Sequence, residues 1–271
     1  MNAGVLLLAL VAGTWNLKWF PSGRAEHRAS PRIEAATIED AADVVRAEVK
    51  GRGRILFLQE LRDAQTCSNL VSAIGDPKLK VAVASAFRDP RDNRLQWQQL
   101  AIVTDLPVIE SGWRSARRRG RTVVPRGYAW AILDAGPRGR LSCFCLHLKS
   151  NYGATKADAR RANAEKREVM VRQLLETVPA LGTAIIAGDF NADRFQPLHM
   201  NEPIFPLIED AGFTDAWLGS KPSERGTHPG NTRFPDSTLD YIFHRGLPLP
   251  KSRRLAPASD VSDHRLFVVS W

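Results

Sequence analysis

Cysteine is scarce in this chain, and no CxxC pair occurs. The three cysteines are Cys67, Cys143 and Cys145. Neither a cysteine-built zinc cluster nor a disulfide framework is indicated. Cys143 and Cys145 stand two apart on an expected strand, share a face, and are poorly placed to bond to each other. One bridge to the remote Cys67 stays open. Long apolar runs are also missing. The longest, residues 5–12 (Val-Leu-Leu-Leu-Ala-Leu-Val-Ala), is too short to span a bilayer. It has the length of a signal-peptide apolar region but lacks a basic segment before it. A buried first strand running into Thr14-Trp15-Asn16 is the better reading. The compartment stays open between cytoplasmic and exported, with a signal lost upstream. Internal repeats and low-complexity tracts are absent.

Acidic residues are in deficit. Lys and Arg total 38 against 29 Asp and Glu, a formal net charge of +9. Such a balance favours polyanionic partners: nucleic acid, phospholipid headgroups or phosphorylated small molecules. Arginine is concentrated at residues 111–121 (Ser-Gly-Trp-Arg-Ser-Ala-Arg-Arg-Arg-Gly-Arg), read as a loop. Guanidinium forks match phosphate oxygens, and the tryptophan offers a face for a base.

The 271 residues suffice for one large α/β domain spanning 1–271. Thr37-Ile38-Glu39-Asp40 reads as a capping box opening a helix with apolar positions at Ile38, Ala41, Ala42, Val45 and Val49. Residues 55–58, 81–84 and 100–103 read as strands, and a short helix is expected between Arg62 and Ile74. Residues 128–133 and 141–146 form an expected hairpin. Residues 155–178 form a helix whose Lys156, Arg160, Arg161, Lys166 and Arg167 read as its wet face. An apolar run, 181–187, then ends at Gly188-Asp189-Phe190-Asn191. Residues 239–243 and 266–270 supply further strands. Many strands with few helices imply two packed sheets with helices outside.

Polar groups recur at the strand ends. These are Trp15-Asn16, the stretch 58–63 (Leu-Gln-Glu-Leu-Arg-Asp), His147, Gly188-Asp189-Phe190-Asn191, Leu239-Asp240-Tyr241 and Ser262-Asp263-His264. Asp189 and Asn191 leave their strand on the same side. This ordered series resembles the endonuclease/exonuclease/phosphatase family, the DNase I-like fold, from near residue 5 to 271. The resemblance implies a four-layer α/β/β/α sandwich of two mostly antiparallel sheets flanked by helices. It also implies metal-assisted phosphoric ester hydrolysis, usually with Mg2+, alternatively Mn2+.

On that resemblance each motif takes a role. Hard cations prefer oxygen ligands, so Glu60 is the first metal ligand, with the amide oxygen of Asn16 in support. Asp263 is implied near the metal. His264 is the acid/base group, its ordinary pKa suiting proton transfer, with Asp240 orienting it. Asp189 positions or deprotonates the attacking water, Asn191 holds the phosphate, and His147 donates to the phosphate or the leaving oxygen. His27, His199, His228 and His244 sit in no motif and read as structural. Some positions depart from the pattern. Lys18 stands where abasic-site endonucleases carry an acidic residue, which removes a ligand and adds a phosphate contact. The stretch 96–99 (Gln-Trp-Gln-Gln) offers glutamine, not glutamate, to hold the ring of His147. Arg62 and, more weakly, Arg126 read as phosphate contacts, Arg62 with the alternative of an ion pair to Asp63 or another neighbour.

The expected activity is hydrolysis of DNA phosphodiesters by a monomer with no membrane insertion. The alternative substrate class is inositol phosphates or phospholipid headgroups. A non-catalytic binding protein sits poorly with so complete a set of polar strand ends.

Overall fold

The computed structural model describes residues 9–25, 29–89, 92–199, 201–230, 232 and 235–271. Residues 5–8 of the apolar run and His27 lie outside the described residues. The elements follow in chain order: β1 (Val11–Phe20), α1 (Pro31–Glu48), β2 (Arg54–Leu61), α2 (Ala64–Ile74), β3 (Lys80–Ala84), β4 (Gln99–Thr104), β5 (Val108–Ser115) and β6 (Gly127–Asp134). Then come β7 (Arg140–His147), α3 (Ala157–Leu175), β8 (Thr183–Asp189), α4 (Ile204–Asp210), β9 (Thr214–Asp215), β10 (Asp240–Arg245), β11 (Ser252–Leu255) and β12 (Phe267–Ser270). Among the described residues no helix is long and apolar enough to cross a membrane.

The strands form two six-stranded sheets, ordered β11-β12-β1-β2-β4-β3 and β5-β6-β7-β8-β10-β9. Each contains one parallel pair, β1 with β2 and β7 with β8, and is otherwise antiparallel. A parallel pair needs a crossover, and α1 and α3 supply the two. The topology therefore repeats although the sequence does not. Alternation along β2 builds two cores at once. Ile55 and Phe57 enter the core between the sheets, with Ile102, Cys143, Cys145 and Ile185. Leu56 and Leu58 pack outward with Ala41, Val45 and Leu70 of α1 and α2. Each Val, Leu, Ile or Phe among them, fully buried, contributes about 1.5–3 kcal/mol.

Four local expectations are corrected. Helix α1 starts before Thr37: Ser30 is its cap, accepting from the Ile33 amide at 3.4 Å, and Pro31 fits the first turn. Thr37 lies inside the helix and donates to the Ile33 carbonyl at 3.0 Å. Residues 111–115 belong to β5 rather than to a loop. Trp113 there packs edge-on against Phe87, with ring centroids 5.5 Å apart. Arg167 is not on a wet face: it is fully buried, and its Nε donates to Glu202 at 3.1 Å and its Nη1 to the Lys149 carbonyl at 2.7 Å. All three cysteines are free and buried, so the bridge left open is not formed.

Strand direction then fixes where polar ends gather. β1, β2, β7 and β8 finish at one edge of the sandwich, while β10 and β12, antiparallel to their neighbours, begin there. Asp240 opens β10 opposite Asp189, and His147 lies opposite Asp189 on the other side. Gly188 makes this junction possible. Its φ is +150°, and a Cβ there would stand 1.9 Å from the Leu146 carbonyl oxygen. Gly188→Ala is expected to lose more than about 3 kcal/mol of folding stability. Gly153→Ala, where a Cβ meets nothing within 4 Å, should cost only about 1 kcal/mol for its left-handed φ. Urea unfolding of the two variants checks the contrast.

Candidate active site

The backbone is tightly bent where the site forms. Lys18, Trp19, Glu60 and Asn191 have φ of 49°, 50°, 63° and 49°, four of the five positive-φ residues other than glycine among those described. Such conformations persist only where surrounding structure holds them. The β1–β2 register slips between Asn16 and Phe20, and that slip brings the Trp19 amide to Glu60 Oε2 at 2.9 Å.

Two carboxyl groups converge on one amide. Asn16 Nδ2 donates to Glu60 Oε1 at 3.1 Å and to Asp189 Oδ2 at 2.8 Å. His147 Nε2 lies 3.7 Å and 3.4 Å from the same two oxygens. The other oxygen of Asp189 accepts from the Asn191 amide at 2.8 Å, and Asn191 Nδ2 donates to Asp189 Oδ2 at 2.9 Å. Burial, with the negative charge of Asp240 adding, pushes Asp189 up to about 7. Burial also draws His147 well below the ordinary histidine range, and the positive Arg126 and His264 reinforce it. His147 is therefore neutral. Its Nδ1 has no partner among the described residues. The glutamines of 96–99 do not hold it: Gln99 binds Ser85 and Phe87, Gln96 binds the Arg88 and Pro125 carbonyls, and Gln98 binds Arg126.

Asn16 is oriented against expectation. Its amide oxygen accepts from the Lys18 backbone at 3.0 Å, so its NH2, not its oxygen, faces the carboxylates. The oxygens left converging are those of Glu60 and Asp189. Carboxylate oxygens are the ligands that a hard divalent cation prefers. Glu60 would hold it, and Asn16 would steady Glu60.

His264 is held by Asp240, with Nδ1 to Oδ2 at 2.7 Å. Burial alone would lower its pKa, but the Asp240 charge and hydrogen bond outweigh that and raise it to about 10. The expected near-neutral histidine is thus an imidazolium across the physiological range. Ser262 braces it, donating from Oγ to the Asn16 carbonyl at 2.6 Å and accepting from the His264 amide at 3.0 Å. Trp15 Nε1 donates to the His264 carbonyl at 2.9 Å.

The remaining assigned residues divide. Lys18 Nζ pairs with Asp263 Oδ2 at 3.2 Å at the pocket mouth. Arg126 is partly buried, its Nε 3.3 Å from the His147 carbonyl, and its charge faces Glu60 and Asp189. Arg62 is turned aside, bonded to Glu34 at 2.7 Å with Asp63 at 3.7 Å. That is the ion-pair alternative, and Asp63 itself caps α2. Two residues escape sequence reasoning. Thr227 Oγ1 accepts from the Leu239 and Asp240 amides at 2.9 and 3.1 Å. The His228 ring stands 5.0 Å from the His264 ring, centroid to centroid. Neither lies in a recognisable motif; only their place shortly before Asp240 is a signal.

The sequence profile of the Endonuclease/Exonuclease/phosphatase family matches residues 13–264. The chain belongs to the endonuclease/exonuclease/phosphatase family. Members of this family are phosphoesterase hydrolases that use divalent metal ions. No curated protein matches the sequence. Solved structures share the fold. An endonuclease/exonuclease/phosphatase from Beutenbergia cavernae superposes with a TM-score of 0.72 at 17% identity, covering 97% of this chain and 71% of that one. A family protein from Leptotrichia buccalis gives 0.67 at 14% identity, covering 96% and 98%. TDP2 from Caenorhabditis elegans gives 0.60 at 14%, covering 97% and 74%. These likenesses establish the DNase I-like α/β sandwich, with its two sheets and flanking helices.

A family phosphoesterase built this way should show two pH limits. Hydrolysis of a chromogenic phosphodiester is expected to rise as Asp189 ionises, at or below pH 7 since a bound cation draws that limb down. It should fall toward pH 10 as His264 loses its proton. Asp240→Asn should move the alkaline limb downward, and a limb that stays in place would count against the couple. Stability carries the same sign: a raised histidine pKa stabilises the fold fully below about 6.5, and the contribution fades as pH rises to about 10. Urea unfolding should therefore separate wild type from Asp240→Asn more at pH 6 than at pH 10.

Proposed function

We propose that the chain is a metal-dependent nuclease that hydrolyses DNA phosphodiester bonds by in-line water attack, with Mg2+ or Mn2+ at Glu60. The reading takes residues 1–271 as one catalytic domain acting as a monomer. The observation that carries it is the division of charge in the pocket. A fixed imidazolium, His264, stands with Asp240, and a buried carboxyl poised near neutrality, Asp189, stands beside it, locked by Asn16 and Asn191.

A phosphodiester resists attack because it is already anionic, so the site must neutralise charge and orient a water. Asp189 accepts a proton from that water, its oxygens fixed by the Asn191 amide and the Asn16 NH2. His264 donates a hydrogen bond to a phosphate oxygen and balances the charge that grows there. Arg126 adds positive charge behind the cluster. Neutral His147 directs its Nε2 toward the same space and contributes a hydrogen bond rather than a charge. The divalent cation, when bound, supplies Lewis-acid polarisation of a phosphate oxygen.

DNA is favoured over smaller esters by surface features. The net charge is +9. Trp97, 49% exposed, meets Trp19 edge-on at 6.2 Å beside the Glu60 turn, an aromatic surface suited to an unstacked base. The loop after β5 carries Arg119 and Arg121, both exposed.

Plasmid nicking with Mg2+ tests the reading. EDTA should abolish it, and His264→Ala should lower kcat about 100- to 1,000-fold, as expected for a lost charge-stabilising donor. Glu60→Ala should lower it at least as far. DNA affinity should fall steeply with salt. Release of phosphate from inositol phosphates with no action on DNA would replace the DNA reading with the small-ester one.

A further inference from the structure

The ring of His228 has no part in the reaction just described, yet it stands 5.0 Å from the ring of His264, the group that faces the phosphate. His228, Asp263 and His264 each bring a ligand atom to within 4.8 Å of the others. We propose that these three residues form a second cation site, selective for a nitrogen-preferring divalent transition metal of the Zn2+ class, and that filling it switches the phosphoesterase centre off.

The donor atoms are already assigned by their surroundings. His264 Nδ1 is committed to Asp240 at 2.7 Å, which leaves Nε2 as its only free ligand atom. A carboxylate behind a histidine in this way fixes the ring and strengthens it as a metal ligand. His228 meets it at an interplanar angle of 75°. Its backbone is pinned in both directions to Ser237 at 2.9 Å. The adjacent Thr227 is pinned by the Asp240 amide and, through its carbonyl, by the Arg265 amide at 2.7 Å. The second imidazole therefore stands on fixed backbone. Burial, with the positive His264 adding, favours the neutral form of His228, which offers one lone-pair ring nitrogen as a ligand. Ligand atoms of a tetrahedral zinc stand about 3.3–3.5 Å apart, a contraction that side-chain rotation supplies.

Asp263 is the third ligand, now paired with Lys18 at 3.2 Å. Both partners are 43% exposed, and an exposed pair of this kind contributes little. A divalent ion outcompetes the ammonium there. Two imidazoles with one carboxylate suit Zn2+ and disfavour Mg2+, which selects oxygens. The Glu60 centre, with carboxylate oxygens and one imidazole, His147, near them, leans toward the oxygen-preferring ion. Three protein ligands leave a fourth position for water. On binding, the ion takes the place of the Nε2 proton, which passes to solvent. No imidazolium then remains to face a phosphate.

Calorimetry with Zn2+ on the full chain in excess Mg2+ tests the site directly. Co2+ serves as a second probe through its four-coordinate visible absorption. Wild type should bind one Zn2+ in this site, and His228→Phe and His228→Gln should each weaken it at least about tenfold. Glu60→Gln should leave it within about twofold, since separate sites act independently. The inhibition arm rests on the nuclease reading: Zn2+ should block Mg2+-dependent DNA cleavage in wild type, the His228 variants should cleave normally without Zn2+, and their inhibitory Zn2+ concentration should rise by the same factor. No Zn2+ binding in wild type would overturn the proposal. So would His228 variants that bind and respond like wild type, or Zn2+ binding lost with Glu60. The binding arms require no turnover, so failure of the DNA reading leaves them decisive.

Discussion

Asn16 belongs to one sheet and Asp189 to the other, and the 2.8 Å hydrogen bond between them joins the two halves of the sandwich at the reacting edge. Everything assigned a chemical role is arranged about that bond. It exists because each sheet has one parallel pair, and parallel strands finish together. Antiparallel neighbours then begin where those strands finish, which delivers Asp240 and the Asp263-His264 turn to the same edge. Positive φ at Lys18, Trp19, Glu60 and Asn191 is strain concentrated at the turns that carry these side chains. The two cores on either side of the first sheet hold those turns in place.

Much of this arrangement is legible in the residues. A strand ending in an acid or amide is common taken singly, so Asn16, Glu60, His147, Asp189, Asn191 and Asp240 stand out only because the pattern recurs and follows the order of the family's motifs. Their order along the chain supplies the fold. What escapes depends on distant packing. Arg167 looks like any helix-surface arginine until Glu202, far along the chain, turns out to meet it in the interior. Strand β5 is largely exposed, so no apolar run marks it. Thr37 has the sequence of a cap, but Ser30-Pro31 offers an earlier one, and the helix takes it.

Electrostatics is the least legible layer. The sequence names a histidine beside an aspartate but not how deeply either is buried. Burial, with the positive Arg126 and His264 adding, draws His147 down although Asp189 lies 3.4 Å from its Nε2; the 2.7 Å bond to Asp240 leaves the equally buried His264 raised to about 10. The same desolvation acts on both rings, and the sign of the outcome depends on the balance between the positive neighbours of His147 and the short, direct carboxylate bond of His264. Two histidines that look alike in sequence thus become one neutral ring and one imidazolium at neutral pH. Asn16 shows the same limit in another form, since nothing local says which end of its amide Lys18 will claim.

Lys18 follows from the same charge balance. Around the pocket stand the carboxyl groups of Glu60, Asp189, Asp240 and Asp263, and three cations, His264, Arg126 and Lys18. Four acids against three bases would repel a phosphodiester. Asp189, raised to about 7, removes part of that excess by carrying a proton much of the time. A divalent ion held at Glu60, as proposed above, would remove the rest, leave the site positive and favour ionised Asp189. With an acidic residue in place of Lys18 the deficit would grow by two charges, and a second metal would be needed to offset it. The lysine therefore does electrostatically what an additional ion would do. It leaves Asp263 at the rim, beside His228 and His264, rather than at the Glu60 centre.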